Sequence, residues 1–357
     1  MGKNSKINVL LTGAGAPGAR GIIRCLRNNG EHDIKLIGVD MREDVPFANM
    51  LDGFYQIPPA KDDNFINAIL DICIKEDIQF VLPIITRELE KFSASVDLFS
   101  KHGIKVAVME YDNLCLVNNK AKLLEALTNK GVECPKFVVA NTVEEIKQGC
   151  DKMGYPNNPV CVKRTFGNGS RGVRILDESV SKYDLFFNEK PNSMITTYSN
   201  IIDTLSEKPT IPEMMVMEYL PGEEYSVDIL ADKGEIIYMV GRTNTVVISS
   251  IPQESVLIVD EKAYEMSKKI VKALNLSGNV GIDFRMNKDN EPRIMEINPR
   301  LTATIVLNAV AGINFPYLTL KYYMGEKMPE LNIKYGTKVK KKTIEEFYDN
   351  EGNSIEF

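Results

Sequence analysis

DFRMNKDNEPRIMEINPR, residues 283–300, is the most informative stretch of this chain. Apolar residues alternate with polar ones on both sides of the polar pair Asp289-Asn290, which predicts two β-strands joined by a turn. If the hairpin closes symmetrically about that pair, Asp283 lies opposite Glu296. Side chains alternate along a strand, so Asn298 then points to the same face as both acids.

Two carboxylates directly across a strand pair repel each other and weaken the sheet unless a cation lies between them. Oxygen-only ligands suit Mg2+ or Mn2+, which complete their coordination with water and the phosphates of a nucleotide. The spacing therefore predicts a metal site formed by Asp283, Glu296 and Asn298. Arg300 follows within reach of the same cluster.

Composition limits the function classes. The chain has 357 residues, enough for two or three domains, and its formal net charge is −6. That charge argues against a partner with a phosphate backbone, so nucleic acid is not expected. No apolar run approaches the ~18 residues of a membrane span and no signal-peptide core follows Met1, so we expect a cytoplasmic protein without a membrane partner. The cysteines are scattered, with no C-x-x-C, and are expected to be reduced.

The N-terminal segment predicts a βαβ unit. A strand over Ile7–Thr12, the glycine turn Gly13–Gly18 and a helix over Ala19–Asn29 precede a second strand that ends at Asp40. The G-x-G-x-x-G pattern with Asp40 is typical of a dinucleotide site, which would bind NAD. The same glycines also permit a tight turn without a ligand, and Pro17 stiffens the backbone where a pyrophosphate would approach. Since only about half of a Rossmann sheet fits before residue 112, both interpretations stay open at this point.

A second glycine loop, Gly167–Gly172, lies between two predicted strands. Its backbone N–H groups can fold over phosphates, and Ser170 adds a donor. Lys163 precedes the loop in an apolar strand, where a lysine is costly unless an anion pairs with it. Lys120, at the start of another predicted helix, is the second lysine of interest.

The segment Glu218-Tyr219-Leu220 ends an apolar strand at a bend, where exposed backbone groups can bind the edge of an adenine ring. Glu224, two residues beyond Gly222, can accept hydrogen bonds from ribose hydroxyls. On spacing alone, both acids are also ordinary strand-end residues that face solvent.

Together these residues resemble the ATP-grasp superfamily, which includes D-alanine:D-alanine ligase, biotin carboxylase and the large subunit of carbamoyl phosphate synthetase. The resemblance covers residues 7 to 325 and is strongest to single-module relatives of carbamoyl phosphate synthetase. It implies an α/β and α+β architecture, an ATP-grasp fold preceded by a Rossmann-like (pre-ATP-grasp) parallel-sheet domain that binds no NAD. The expected domains are the Rossmann-like domain (1–112), the lid subdomain (113–190), the metal and nucleotide subdomain (191–330) and a C-terminal tail (331–357).

The resemblance also implies how ATP is bound. Lys120 and Lys163 match the lysines that contact phosphates, and the glycine loop matches the lid, through Gly167, Gly169 and Ser170. The hinge that binds adenine matches Glu218, Tyr219 and Leu220, and the ribose-binding acid matches Glu224.

The end of the late hairpin carries the rest of the match. The metal ligands correspond to Asp283, Glu296 and Asn298, although relatives often carry Glu at the first of these positions. Arg300 corresponds to the arginine of the asparagine-proline-arginine ending.

The implied activity is that of an ATP-dependent carboxylate ligase. ATP phosphorylates a substrate carboxylate, and an amine or thiol then displaces phosphate from the acyl phosphate. Lys163 and Arg300 are the predicted catalytic residues, with Arg300 orienting the carboxylate, and Arg242 is a second candidate for contact with substrate. The alternatives are an NAD-dependent oxidoreductase, an ATP-grasp kinase or phosphotransferase that shares every nucleotide residue, and a non-catalytic nucleotide sensor.

The implied partners are a small-molecule carboxylate and an amine, with a second copy of the chain bound through the N-terminal domain as a homodimer. Residues 186–212 are expected to form a surface excursion. That segment, residues 243–255 and a face of the N-terminal domain are expected to select the substrate. The lysine run over 338–342 is interpreted as a solvated strand or tail.

Overall fold

The computed structural model of the chain describes residues 6–167, 171–189, 193–248, 251–342, 347–351 and 354–355. Its first part is a parallel sheet with flanking helices. The elements are β1 (Lys6–Thr12), α1 (Ala19–Arg27), β2 (Asp33–Asp40), a 3-10 turn (Ala48–Met50), β3 (Gly53–Gln56), α2 (Phe65–Lys75), β4 (Phe80–Leu82), α3 (Thr86–Ala94), α4 (Val96–Ser100) and β5 (Lys105–Val106). The strands lie in the order β3-β2-β1-β4-β5, so the strand order reverses between β1 and β4. Open α/β sheets bind ligands in the crevice at such a point, outside the carboxyl ends of the strands.

Helices cover both faces of this sheet, which is why its strands are nearly continuous apolar runs. On one side of β1, Val9 and Leu11 pack against α1 and against helices from the C-terminal part of the chain. On the other side, Leu10 packs against α2, α3 and α4 through residues such as Phe65 and Phe92. The far end of the chain is therefore fixed to the first sheet.

A second sheet carries the lysines and the glycine loop. The elements here are α5 (Tyr111–Asn118), α6 (Lys120–Asn129), β6 (Phe137–Ala140), α7 (Val143–Lys152), β7 (Val160–Arg164), β8 (Val173–Leu176), α8 (Lys182–Phe187), β9 (Ile195–Thr196), α9 (Tyr198–Ser206) and β10 (Met214–Glu218). The strand order is β6-β10-β7-β8-β9. The expectation of a surface excursion over 186–212 is wrong for part of that segment, because β9 pairs with β8 and Ile201 is buried in the core of this sheet.

A third sheet, antiparallel, carries the late hairpin. The elements are β11 (Glu224–Asp232), β12 (Glu235–Ile248), β13 (Ile251–Leu257), α10 (Glu261–Ala273), β14 (Gly278–Met286), β15 (Pro292–Asn298), α11 (Ile305–Val310), α12 (Phe315–Tyr323) and β16 (Lys338–Lys340), followed by the short pair β17 (Phe347–Tyr348) and β18 (Ser354–Ile355). The strand order is β15-β14-β11-β12-β13-β16. Alternation along β11 sends Val227 and Ile229 into a core shared with α5, α6 and α10, and leaves Ser226 and Asp228 on the opposite face.

The late hairpin pairs Asp283 with Glu296, as the sequence predicts, but its turn and its register differ from the predicted ones. Beyond that pair the register shifts by one residue, so that Phe284 lies opposite Ile294 and Met295 is the extra residue of a bulge. The turn is closed by the Asn287 side chain, whose Oδ1 accepts from the backbone N–H groups of Asp289 and Glu291. The predicted closure about residues 289 and 290 is therefore wrong, and the bulge restores the predicted pairing.

The C-terminal lysines agree with the interpretation of a solvated strand, since Lys338 and Lys340 are exposed on β16, which pairs with the edge of β13. Within the described residues, no helix combines the length and the apolar character that crossing a membrane requires.

Candidate active site

Asp283 and Glu296 face each other across the β14–β15 ladder. Burial, followed by repulsion from Glu296, raises the pKa of Asp283 to about 6, and a hydrogen bond from Ser226 and the nearby Arg242 oppose the rise. Burial and Glu296 therefore both disfavour the charge on Asp283. A cation bound beside Asp283 would oppose this effect and favour its ionised form.

Asn298 and Arg300 extend this cluster toward the first sheet. Asn298 Nδ2 donates to Asp283 Oδ2 at 2.9 Å. Arg300 Nη2 donates to Asn298 Oδ1 at 3.4 Å. Arg300 Nε donates to Thr86 Oγ1 at 3.0 Å. Because Thr86 begins α3 just after β4, the Arg300 guanidinium lies at the crevice where the strand order of the first sheet reverses.

The two predicted lysines approach the same carboxylates from the second sheet. Lys163 on β7 is only 4% exposed. Burial is the main cause that lowers its pKa; Lys120 adds to this effect, and Cys161 and Glu296 oppose it. Lys120 Nζ is 3.1 Å from Glu296 Oε2 and donates to the carbonyl oxygen of Gly167 at 2.7 Å. The structure thus gathers both lysines, the beginning of the glycine loop and the metal-type ligands in one place.

Lys120 is held there by its helix. Asn119 is the N-cap of α6, its Oδ1 accepting from the Lys122 backbone N–H at 3.0 Å, and the Lys120 backbone N–H donates to the carbonyl of Thr165. This anchors the start of α6 beside the end of β7. Of the predicted lid residues, Gly167 has a φ of +142°, which favours glycine, whereas Gly169 and Ser170 lie outside the described residues.

The donor set fits Mg2+ or Mn2+. Asp283, Glu296 and Asn298 offer two carboxylates and an amide oxygen from adjacent strand positions, and hard divalent cations prefer such oxygen ligands. The observation that supports this fit is the chemistry of the donor set, in which two carboxylates face each other across the ladder and Asn298 lies against Asp283.

The predicted hinge lies between β10 and β11. Glu218 is bonded to the start of β6, its Oε1 accepting from the Lys136 backbone N–H at 2.9 Å. Tyr219 is partly buried and Leu220 is buried, and Glu224 Oε1 is 3.5 Å from Arg285 Nη1. The carboxylates of Glu218 and Glu224 therefore both have protein partners in this structure.

The acid predicted to bind ribose in a dinucleotide site is engaged within the protein. Asp40 accepts from the backbone N–H groups of Gly15 and Arg42, and Arg42 Nη2 in turn donates to the Gly15 carbonyl at 2.6 Å. At the start of α1, a Cβ on Gly18 would lie 3.3 Å from the backbone of Ala303. These contacts favour the interpretation that the glycines permit a tight turn over the NAD alternative.

Arg242 differs from its predicted role. It is 3% exposed, and its Nη1 pairs with Asp228, which also accepts from Thr302 Oγ1 and Asn308 Nδ2, each at 2.8 Å. Contact with substrate is therefore not supported, because the guanidinium is enclosed in the polar face of the third sheet. Its Nε has no hydrogen-bond partner among the described residues.

The sequence interpretation missed several polar residues around the site. They are Thr86 at the start of α3, and Ser226, Asp228 and Asn244 on the third sheet. Ser226 and Asp228 carried a usable signal, since they alternate with Tyr225, Val227 and Ile229 along an otherwise apolar strand. Thr86 and Asn244 carried none, because neither lies in a recognisable pattern.

Two family models match the chain. "PylC-like, N-terminal domain" matches residues 9–107, and "ATP-grasp in the biosynthetic pathway with Ter operon" matches residues 210–345, the region that includes the metal-type ligands. Residues 210–345 therefore match an ATP-grasp family model, as the resemblance implies. The fold predicted from the sequence is confirmed by similar solved structures.

Several known proteins are similar to this chain in sequence or in fold. The carbamoyl phosphate synthase large chain of Clostridium acetobutylicum is 25% identical over 260 residues, which cover 69% of this chain and 22% of that relative. The N5-carboxyaminoimidazole synthetase of Staphylococcus aureus complexed with ADP superposes with a TM-score of 0.66 at 16% identity, over 92% of this chain and 80% of that one. An L-amino acid ligase from Bacillus licheniformis gives a TM-score of 0.63 at 13% identity, over 89% and 74%. At these identities the structural likenesses establish the fold.

Proposed function

We propose that this chain is an ATP-dependent ligase that joins a small-molecule carboxylate to an amine or a thiol through an acyl phosphate, releasing ADP and phosphate. The observation that carries the proposal is the convergence of Lys120 and Lys163 with Asp283, Glu296 and Asn298. These groups come from β7, from the start of α6 and from the β14–β15 hairpin, which are distant in sequence. The similar proteins described above support the same class of reaction, since they are a synthase, a synthetase and a ligase.

The reaction has two steps. An oxygen of the carboxylate attacks the γ-phosphorus of ATP, the bond to the β–γ bridging oxygen breaks, and ADP leaves. The amine nitrogen or thiol sulfur then attacks the acyl carbon, the bond from that carbon to the phosphate oxygen breaks, and phosphate leaves as the nucleophile loses a proton. Both steps require positioning and charge neutralisation more than covalent help from the protein.

Lys163 and Arg300 are the proposed catalytic residues. Lys163 is enclosed, so a phosphate beside it would interact strongly with its ammonium group and favour the charged form. Arg300 presents a planar guanidinium at the crevice of the first sheet, which suits a carboxylate or an acyl phosphate. Mg2+ or Mn2+, when bound at Asp283, Glu296 and Asn298, would supply further neutralisation of the phosphates.

The nucleotide is assigned to the cleft between the second and third sheets. We place its phosphates at Lys120, Lys163 and the glycine loop, with Gly167, Gly169 and Ser170, and its adenine at Glu218, Tyr219 and Leu220. Glu224 would bind the ribose after breaking its ion pair with Arg285. The free energy lost with that pair is small, because the pair is partly exposed and its atoms are 3.5 Å apart.

The test is a release assay for ADP and phosphate with ATP, Mg2+ and pooled carboxylates against pooled amino acids and thiols. We expect turnover that depends on both a carboxylate and a nucleophile. Glu296→Ala should reduce it by at least ~100-fold, since one lost electrostatic contact costs about 3 kcal/mol. The matched control is Glu291→Ala in the turn of the same hairpin, which loses a surface pair with Lys262 and should retain turnover.

Two results would contradict the proposal. Turnover by a folded Glu296→Ala protein at the wild-type rate would remove the metal site from the chemistry. A stable phosphate ester as the product, in place of an amide or thioester with free phosphate, would assign a kinase or phosphotransferase.

A further inference from the structure

A chain of hydrogen bonds runs from the β12–β13 hairpin to a metal ligand. Ser255 Oγ donates to Asn244 Oδ1 at 2.9 Å, Asn244 Nδ2 donates to Ser226 Oγ at 3.2 Å, and Ser226 Oγ donates to Asp283 Oδ1 at 2.6 Å. Ser255 and Ser226 are 2% and 4% exposed, so water does not readily replace these bonds. The register explains the alignment, because Asn244 lies opposite Ser255 and Ser226 lies opposite Asp283.

The carboxylate dictates the direction of every bond in this chain. An ionised Asp283 only accepts, so the single hydroxyl hydrogen of Ser226 must point to it. Ser226 can then only accept from its other neighbour, which requires the NH2 group of Asn244 on that side and its oxygen toward Ser255. The opposite orientation of the Asn244 amide would leave Ser226 with two acceptors and one hydrogen.

Asp283 is held from its other side as well. Asn298 Nδ2 donates to Asp283 Oδ2 at 2.9 Å, so each carboxylate oxygen has one donor on a different strand. These two bonds fix the rotation of the carboxylate and leave a free lone pair on each oxygen. With its rotation fixed, the short Asp283 side chain would keep its carboxylate oxygens in one orientation relative to Glu296, ready for a cation.

We infer that Asn244 and Ser226 are positioning residues that orient Asp283 for the divalent cation, and that they link the β12–β13 hairpin to the metal site. The inference rests on the proposed function. It gives the hairpin a role beyond selection of the substrate, because a change in the hairpin at Ser255 reaches Asp283 through two side chains. Groups that orient metal ligands typically alter metal affinity by about 10- to 100-fold when they are removed.

The test measures Mn2+ binding by the full chain in the presence of a non-hydrolysable ATP analogue, from the electron paramagnetic resonance signal of free Mn2+. Asn244→Leu keeps the size of the side chain and removes its hydrogen bonds, and Ser226→Ala removes the next link. Each should weaken Mn2+ binding by about tenfold or more. The double variant should be no weaker than Ser226→Ala alone, because both substitutions interrupt one chain.

Thr245→Ala is the matched control. Its hydroxyl donates to the Glu254 carbonyl in the same hairpin, at 3.3 Å, but is not part of the chain, so Mn2+ affinity should stay at the wild-type value. Binding of the analogue without metal should be unchanged in all these variants, which separates loss of orientation from general damage. If Asn244→Leu does not fold, Ser255→Ala retains Asn244 and removes its orienting donor, with the same expected weakening.

The outcomes separate this inference from the proposed function. Wild-type Mn2+ affinity in both Asn244→Leu and Ser226→Ala overturns the inference and leaves the ligase proposal standing. A wild-type chain that binds neither Mn2+ nor the analogue overturns both.

Discussion

Glu88 is a buried acid, outside the predicted metal ligands, that should lower the free energy of unfolding at neutral and higher pH. It is 8% exposed on α3, and Thr12 Oγ1 donates to its Oε2 at 2.5 Å. Burial is the main cause that raises its pKa, from an ordinary value of 4.5 to about 7; the Thr12 hydrogen bond opposes the rise and Asp40 adds to it. The folded chain therefore holds a proton on Glu88 that the unfolded chain releases at lower pH.

The sign of the resulting pH dependence follows from these values. Between about pH 4.5 and pH 7 the folded state binds more protons at Glu88 than the unfolded state, so its contribution to stability falls as the pH rises through that window and stays low above it. Glu88→Gln removes the titration and keeps an acceptor for Thr12. It should raise the free energy of unfolding at pH 8 by up to about 3 kcal/mol and change it little at pH 4.5.

Urea unfolding at the two pH values measures this difference. Glu125→Gln, at an exposed position of α6, is the control and should have the same small effect at both. An equal effect of Glu88→Gln at pH 4.5 and pH 8 would show that burial does not perturb this carboxyl.

The start of α6 combines a structural and a functional task in one element. Asn119 caps the helix, and its Nδ2 is 3.4 Å from Glu213 Oε1, which also accepts from Thr165 Oγ1. These bonds place Lys120, the first residue of the helix, against Glu296. A cap elsewhere in the same sheet, Thr142 of α7, has a similar bond to Glu145 at 3.2 Å and lies near none of the site residues.

Asn119→Ala and Thr142→Ala should therefore separate the two tasks. Each should lower the free energy of unfolding by about 1 kcal/mol through loss of the cap. Only Asn119→Ala should also weaken ATP binding, by several-fold, because Lys120 loses its fixed position. Calorimetric titration of ATP alongside chemical denaturation measures both quantities, and equal ATP affinity in the two variants would refute the link.

The arrangement of the whole molecule depends on the C-terminal helices returning to the first sheet. Lys321 of α12 is 5% exposed and lies 2.7 Å from both carboxylate oxygens of Glu31 and 2.8 Å from Glu326, while His32 Nε2 is 3.3 Å from Glu326. Glu31, His32 and Glu326 also form a cluster compatible with a metal ion, but the Lys321 ammonium already supplies the positive charge between the acids. This cluster fastens α12 to the loop after α1.

Lys321→Met should loosen that attachment. Removal of the buried ammonium leaves the partly buried Glu326 and the exposed Glu31 without their cation, which should lower the free energy of unfolding by about 2 kcal/mol. Lys268→Met, which breaks a surface pair with Glu265 on α10, is the control and should change it by less than about 0.5 kcal/mol. A denaturant series measures both, and equal effects would mean that the cluster adds nothing beyond a surface ion pair.

Local patterns were sufficient for most elements and for the pairing that defines the metal-type site. Apolar periodicity located β1 and α1 to within two residues at each end, because each buries a face that its own sequence specifies. The pairing of Asp283 with Glu296 was also predicted, although the Asn287 turn and the Met295 bulge were not. The wrong turn centre and the missed bulge cancelled, so the predicted pairing is correct although the predicted closure is not.

The sequence by itself singled out the residues that the structure brings together: two lysines, two acids, an amide and an arginine, each in a locally recognisable setting. Only the tertiary structure decided that Arg42 donates to the N-terminal glycine turn, that Asp228 holds Arg242, and that a hydrogen-bond chain reaches Asp283 from β13. The physical reason is range. Periodicity and capping act over a few residues, whereas these contacts join side chains on separate strands or loops, and their partners are set by how the strands pack.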